Sequence, residues 1–183
     1  MIRFNFRNCN PSVLLLFISC CLVFSGCQQT AAPDQNQQKL SYTSEPLINA
    51  NKKAVRLEDE QIRGYITRMG WKMNETGTGL RYLIYYHGKG KSAAKGSNAK
   101  IEYECRLISG ELCYSSQKTG LKEFKIGSGG VESGLEEGIL LMCSGDKAKF
   151  ILPSHLAFGL IGDQDKIPGK ATLVYDVHLL DIN

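Results

Sequence analysis

The chain has 183 residues, 43% of them hydrophobic, enough for one core of ordinary size plus a short appendage. Its formal charge is +4, of which Arg3 and Arg7 contribute two, so it lacks the basic surplus that nucleic-acid binding uses. Three of its seven cysteines fall within the first 26 residues and a fourth is Cys27, and the odd count of three that remains argues against a disulfide framework.

In chain order, residues 1–26 read as a secretory signal. They have a basic start with Arg3 and Arg7, an apolar run from Val13 to Phe24, and the small pair Ser25-Gly26 before Cys27. The apolar run is shorter than the ~20 residues a spanning helix needs. Its ending is similar to the lipobox of bacterial lipoproteins, with Phe24 where leucine is usual. That similarity implies that Cys27 is lipidated and becomes the mature N-terminus, tethering the chain to a membrane. Gln28 after that cysteine points to outer-membrane sorting, with the protein facing the periplasm. Losing Cys9, Cys20 and Cys21 and modifying Cys27 leaves Cys105, Cys113 and Cys143, read as small buried hydrophobes.

Residues 27–55 are expected to be a flexible tether: Gln28 to Lys39 is rich in Gln, Ala, Asn and Pro without periodicity, and Ser41 to Lys53 stays polar. Residues 56–78 form an N-terminal helical segment, because Ile62, Ile66 and Met69 recur at helical spacing among charged residues. The apolar stripe of that amphipathic helix docks on the following domain or on a partner.

Residues 79–183 read as one domain. A strand is expected over Leu80 to His87, then a solvated loop, Gly88 to Ser97. The loop's Gly90-Lys91-Ser92 is not a phosphate loop, because Tyr85 stands where such a loop needs glycine. Ile101, Tyr103, Cys105 and Leu107 alternate with Glu102, Glu104 and Arg106, a strand with one wet face, and Ser109-Gly110 turns it. Simple pairing across that turn sets Cys113 opposite Arg106. The return begins at Cys113-Tyr114-Ser115-Ser116, and Phe124 and Ile126 make a short strand before Gly127 to Gly130. Ser133-Gly134-Leu135-Glu136 has the spacing of a capping box. Leu135, Ile139 and Met142 then give a helix one apolar face, and Gly145 stops it. Ala148, Phe150 and Leu152, and later Ala171, Leu173, Tyr175, Val177 and Leu179, alternate with mostly polar neighbours. The helix must therefore cover an antiparallel sheet, which makes the fold class α+β. His87, His155 and His178 lack metal-ligand spacing, and Asp163 with Asp165 lacks the remaining ligands of a calcium loop. No metal and no cofactor is expected.

Three ordered anchors carry a family resemblance: Gly134-Leu-Glu-Glu-Gly138, Leu152-Pro-Ser-His-Leu-Ala-Phe-Gly159, and Ile167-Pro-Gly-Lys-Ala-Thr-Leu-Val-Tyr-Asp-Val177. From Gly79 to Asn183 the chain resembles the FKBP-type peptidyl-prolyl cis-trans isomerase domain. The resemblance implies a bent antiparallel half-barrel around one short helix, and isomerisation of X-Pro bonds in proline-containing polypeptides. It also implies an apolar pocket whose catalytic side chains are Tyr103, Phe158 and Tyr175. Tyr114, Phe124, Val131, Leu135 and Ile167 would bind substrate with them, and the backbone N–H of Glu132 would donate to a substrate carbonyl. The sequence departs from the family at several of these places. The family aspartate is replaced within Cys113-Tyr114, the floor tryptophan by Leu135, the loop tyrosine by Phe158, and a wall aromatic by Lys122. Together with the lipobox and the N-terminal helix, Cys113-Tyr114-Ser115 resembles the gliding-motility-associated lipoprotein isomerases. The loss of carboxylate and hydroxyl implies slow turnover, and the alternative role is a binding module or chaperone for envelope or motility proteins.

Overall fold

The computed structural model describes residues 35–183, with side chains from residue 45 onward. The expected signal peptide, Cys27 and the first part of the expected tether lie outside the described residues. Residues Ile48–Asn183 form one compact unit.

Helix α1 runs from Gln35 to Met69 with Pro46 inside it, so the stretch to residue 55 is helical where a tether was expected. Its residues are mostly polar, the Gln, Lys, Leu and Ala among them are good helix formers, and a helix needs no apolar period to form. Ion pairs one turn apart, Arg56 with Glu60 at 3.7 Å and Asp59 with Arg63 at 2.9 Å, support the exposed face. The helix ends in a Schellman pattern, with Gly70 N–H on Thr67 O and Trp71 N–H on Ile66 O, both at 3.2 Å. Ile62 is fully buried against Ile151 and Val174, with Tyr65, Ile66, Trp71, Met73 and Ile108 packed around them. Met69 does not share this docking face and is exposed. Polar contacts fix the angle of approach. Glu58 accepts from Ser154 N–H at 2.7 Å and from the hydroxyls of Ser154 at 3.1 Å and Thr172 at 2.7 Å, while Asp59 pairs with the buried Arg81 at 2.8 Å.

The strands are β1 (Asn74–Glu75), β2 (Arg81–Tyr86), β3 (Asn98–Leu107), β4 (Leu112–Ser115), β5 (Lys122–Lys125), β6 (Lys147–Leu152) and β7 (Leu173–Ile182). They form one antiparallel sheet in the order β1-β2-β6-β7-β3-β4, with β5 also paired to β3. The ten-residue strand β3 therefore carries β7 along one edge and shares the other between β4 and β5. Alternation along β3 and β7 sends Ala99, Ile101, Tyr103, Cys105, Leu173, Tyr175, Val177 and Leu179 to the core, as the period-two pattern requires.

Two short helices complete the unit, α2 (Ser116–Thr119) and α3 (Ser133–Ile139). α3 lies close on β6: a Cβ at Gly134 would stand 2.7 Å from Leu152 Cγ, and one at Gly138 would stand 2.8 Å from the Phe150 ring. The capping box does not form. Glu132, not Ser133, is the N-cap residue, and no side chain caps the helix. Glu136 does reach back, but to Gly129 N–H at 3.1 Å, because the preceding glycine loop folds over the helix start. The helix stops at Ile139, yet Met142 stays buried in the turn that follows. The 88–97 segment is also less free than a solvated loop, since Gly88 N–H bonds Asp146 at 2.6 Å and Gly90 N–H bonds Ser144 O at 3.0 Å. Cys105, Cys113 and Cys143 are all free thiols. Cys105 faces Tyr114 and Arg106 faces Leu112, which leaves Cys113 as the extra residue of a β-bulge.

Candidate functional site

The helix start and the loop that follows β6 meet over one end of the sheet. A cleft of about 440 Å³ opens there, lined by Lys122, Gly129, Gly130, Val131, Glu132, Ser133, Ala157 and Phe158, within the size range of ligand pockets. The chain reaches it by three routes: β5 supplies Lys122, the loop into α3 supplies Val131 and Glu132, and the 3-10 turn Ser154–Leu156 leads to Phe158.

The expected site residues fall into two layers. Val131 and Phe158 line the cleft, and together with Tyr114 they pack on the core while remaining half-exposed. Tyr103, Phe124, Leu135, Ile167 and Tyr175 belong to the core cluster beneath, with Tyr103 at 6% and Tyr175 at 1% exposure. The Tyr103 and Tyr175 rings lie 6.1 Å apart and tilted by 34°. The Tyr103 hydroxyl shares a hydrogen bond with Thr119 at 3.1 Å.

Between the layers stands a polar group that sequence reasoning missed. The Tyr175 hydroxyl donates to Glu132 Oε1 at 2.7 Å in a buried hydrogen bond. Glu132 Oε2 is buried without a hydrogen-bond partner, and Lys122 Nζ lies 3.9 Å from it, close enough for attraction but too far for a hydrogen bond. The same ammonium sits 5.0 Å from the centre of the Tyr103 ring. Burial first, then the nearby Cys105 and Glu132, hold the Tyr175 hydroxyl well above the usual phenol range, so it stays protonated and donates to Glu132. The backbone N–H of Glu132 makes no hydrogen bond among the described residues.

A second polar link ties the 158–170 loop to β4. The Tyr114 hydroxyl donates to Asp163, and Asp163 Oδ1 also accepts from the N–H groups of Asp165 at 3.0 Å and Ile167 at 2.8 Å. Lys166 covers the Tyr114 ring at 4.9 Å. The bond to Asp163, then burial, raises the Tyr114 hydroxyl's pKa. The Asp163 carboxyl would be pushed up by burial, but the bonds from Tyr114 and from backbone amides outweigh this and bring it below its ordinary 3.8. Asp163 thus organises the loop, and a carboxylate stands beside Tyr114 after all, supplied by the loop instead of the strand. Only its distance from Tyr114 in sequence hides the pairing.

Chemically, the arrangement offers an apolar wall at Val131 and Phe158, a free main-chain donor at Glu132 and a buried aromatic layer. No described group is placed as a nucleophile, and no group of three or more metal-ligating side chains is present among the described residues.

Residues 89–180 match the family model described as FKBP-type peptidyl-prolyl cis-trans isomerase. FK506-binding protein 2 of Dictyostelium discoideum is 45% identical over 89 residues, covering 48% of this chain and 67% of that protein. A probable FKBP-type peptidyl-prolyl cis-trans isomerase of Haemophilus influenzae is 30% identical over 148 residues, covering 80% of this chain and 60% of that protein. Among solved structures, FkpA from Escherichia coli superposes with a TM-score of 0.62 at 25% identity, covering 97% of this chain and 84% of that one. The chain spans 67% of the length of the first of these curated relatives and 60% of the second.

Proposed function

The chain belongs to the FKBP-type peptidyl-prolyl cis-trans isomerase family, and from that premise we propose that it accelerates cis-trans isomerisation of X-Pro bonds in exported polypeptides. The uncatalysed step is slow because amide resonance must be broken, a barrier of ~18–20 kcal/mol. No proton need move. A cleft that takes the prolyl ring out of water favours the twisted amide, whose charge separation is smaller than that of the planar form, and a fixed donor holds the neighbouring carbonyl. The observation that carries this reading is the free Glu132 N–H in a cleft walled by Val131 and Phe158.

The test is the refolding of a protein limited by proline isomerisation. Addition of this chain should raise the slow-phase rate, and Phe158→Ala should abolish most of that gain while leaving circular dichroism unchanged, because Phe158 is only half-buried. Suppressed aggregation without acceleration would instead make the chain a binding module or chaperone, a role favoured by one observation: Tyr103 and Tyr175 lie under the Lys122–Glu132 pair.

The envelope role rests on the sequence of residues 1–27. In this reading Cys27 carries lipid, the domain stands on the periplasmic side of the outer membrane, and its substrates are proline-containing envelope proteins, including those of gliding motility.

A further inference from the structure

Lys122 lines the cleft, and its ammonium lies over the Tyr103 ring of the buried aromatic layer. Its ammonium donates no hydrogen bond among the described residues. Glu132 Oε2 is 3.9 Å from it, and the lysine side chain keeps 29% exposure against 5% for Glu132. Glu132 lines the cleft, but its carboxylate is buried, with one oxygen on Tyr175 and the other without a hydrogen bond, 3.9 Å from the lysine. The charge that an incoming chain meets is positive.

From this geometry we infer that Lys122 gates the aromatic floor and selects prolyl peptides that carry a carboxylate beside the proline. A prolyl ring reaching toward Tyr103 must first move the ammonium from its place 5.0 Å from the ring centre. A substrate carboxylate draws it aside by offering the charge-assisted hydrogen bond that Glu132 is too distant to make. A neutral neighbour offers nothing in exchange, and a cationic one meets like charge. The inference rests on the isomerase reading but adds a specificity determinant to it.

The test pairs near-isosteric peptides, Glu-Pro with Gln-Pro and Pro-Glu with Pro-Gln. Both binding, by titration of the full chain, and acceleration of isomerisation are measured. In at least one pair the acidic peptide should bind about tenfold more tightly, and this preference should fade between low and high salt. Lys122→Met keeps the length of the side chain without its charge. It should bring the ratio to one or below and improve handling of the glutamine peptides. Ratios within twofold in both pairs for the wild type would overturn the proposal, as would a ratio that Lys122→Met leaves unchanged. The salt dependence of the wild type decides the matter even if the variant folds poorly. A binding preference without acceleration of any peptide would support the selectivity while refuting the isomerase reading.

Discussion

Cys105 and Tyr175 face each other across β3 and β7, and burial governs the chemistry of both. Burial, the largest cause, pushes the Cys105 thiol up to about 12. It should therefore stay unmodified by a maleimide at pH 8 while the half-buried Cys143 reacts, as peptide mapping of the labelled native protein would report. Asp163 gives a pH dependence with a definite sign. Its folded pKa lies below its ordinary value, so the stabilisation is complete above the unfolded pKa and is lost as pH falls through the folded one. Wild type and Asp163→Asn should differ in denaturation midpoint at pH 6, and the difference should shrink steadily below about pH 4. Tyr114→Phe removes the same latch and should raise hydrogen exchange in the 158–170 loop at a cost of about 1 kcal/mol.

Among the elements, α1 is attached by few apolar contacts of high burial, and Ile62 is their centre. Truncation to alanine leaves a cavity between the helix and β6–β7 and should cost about 2–5 kcal/mol in urea unfolding. The value belongs at the low end if the helix settles inward. The contact of α3 with β6 fails in the opposite sense. Gly138→Ala forces a methyl into the Phe150 ring and should cost about 1–3 kcal/mol through overpacking. Both elements were legible from periodicity, but their ends were not. α1 extends through polar residues that carry no apolar repeat, and α3, which begins at Ser133 as its sequence suggests, has no side-chain cap and stops at Ile139, short of Gly145.

For the whole molecule, the lipid anchor proposed at Cys27 is tested by growth with labelled fatty acid: the chain should carry the label in the membrane fraction, and Cys27→Ser should lose it. Order and alternation along residues 79–183 were enough to determine an α+β fold with one short helix on an antiparallel sheet, because side-chain direction in a strand follows from a period of two. That Val131, Glu132 and Phe158 belong to one place followed only from the family resemblance carried by the ordered anchors, and the structure lines one cleft with all three. What only the tertiary structure decided is the polarity between those residues and the aromatic floor. The Tyr175–Glu132 hydrogen bond spans 43 residues and the Tyr114–Asp163 bond spans 49. Such pairs leave no local pattern in the chain, because their partners become neighbours only once β3, β4, β5 and β7 have assembled, and burial then makes each unpaired polar group costly.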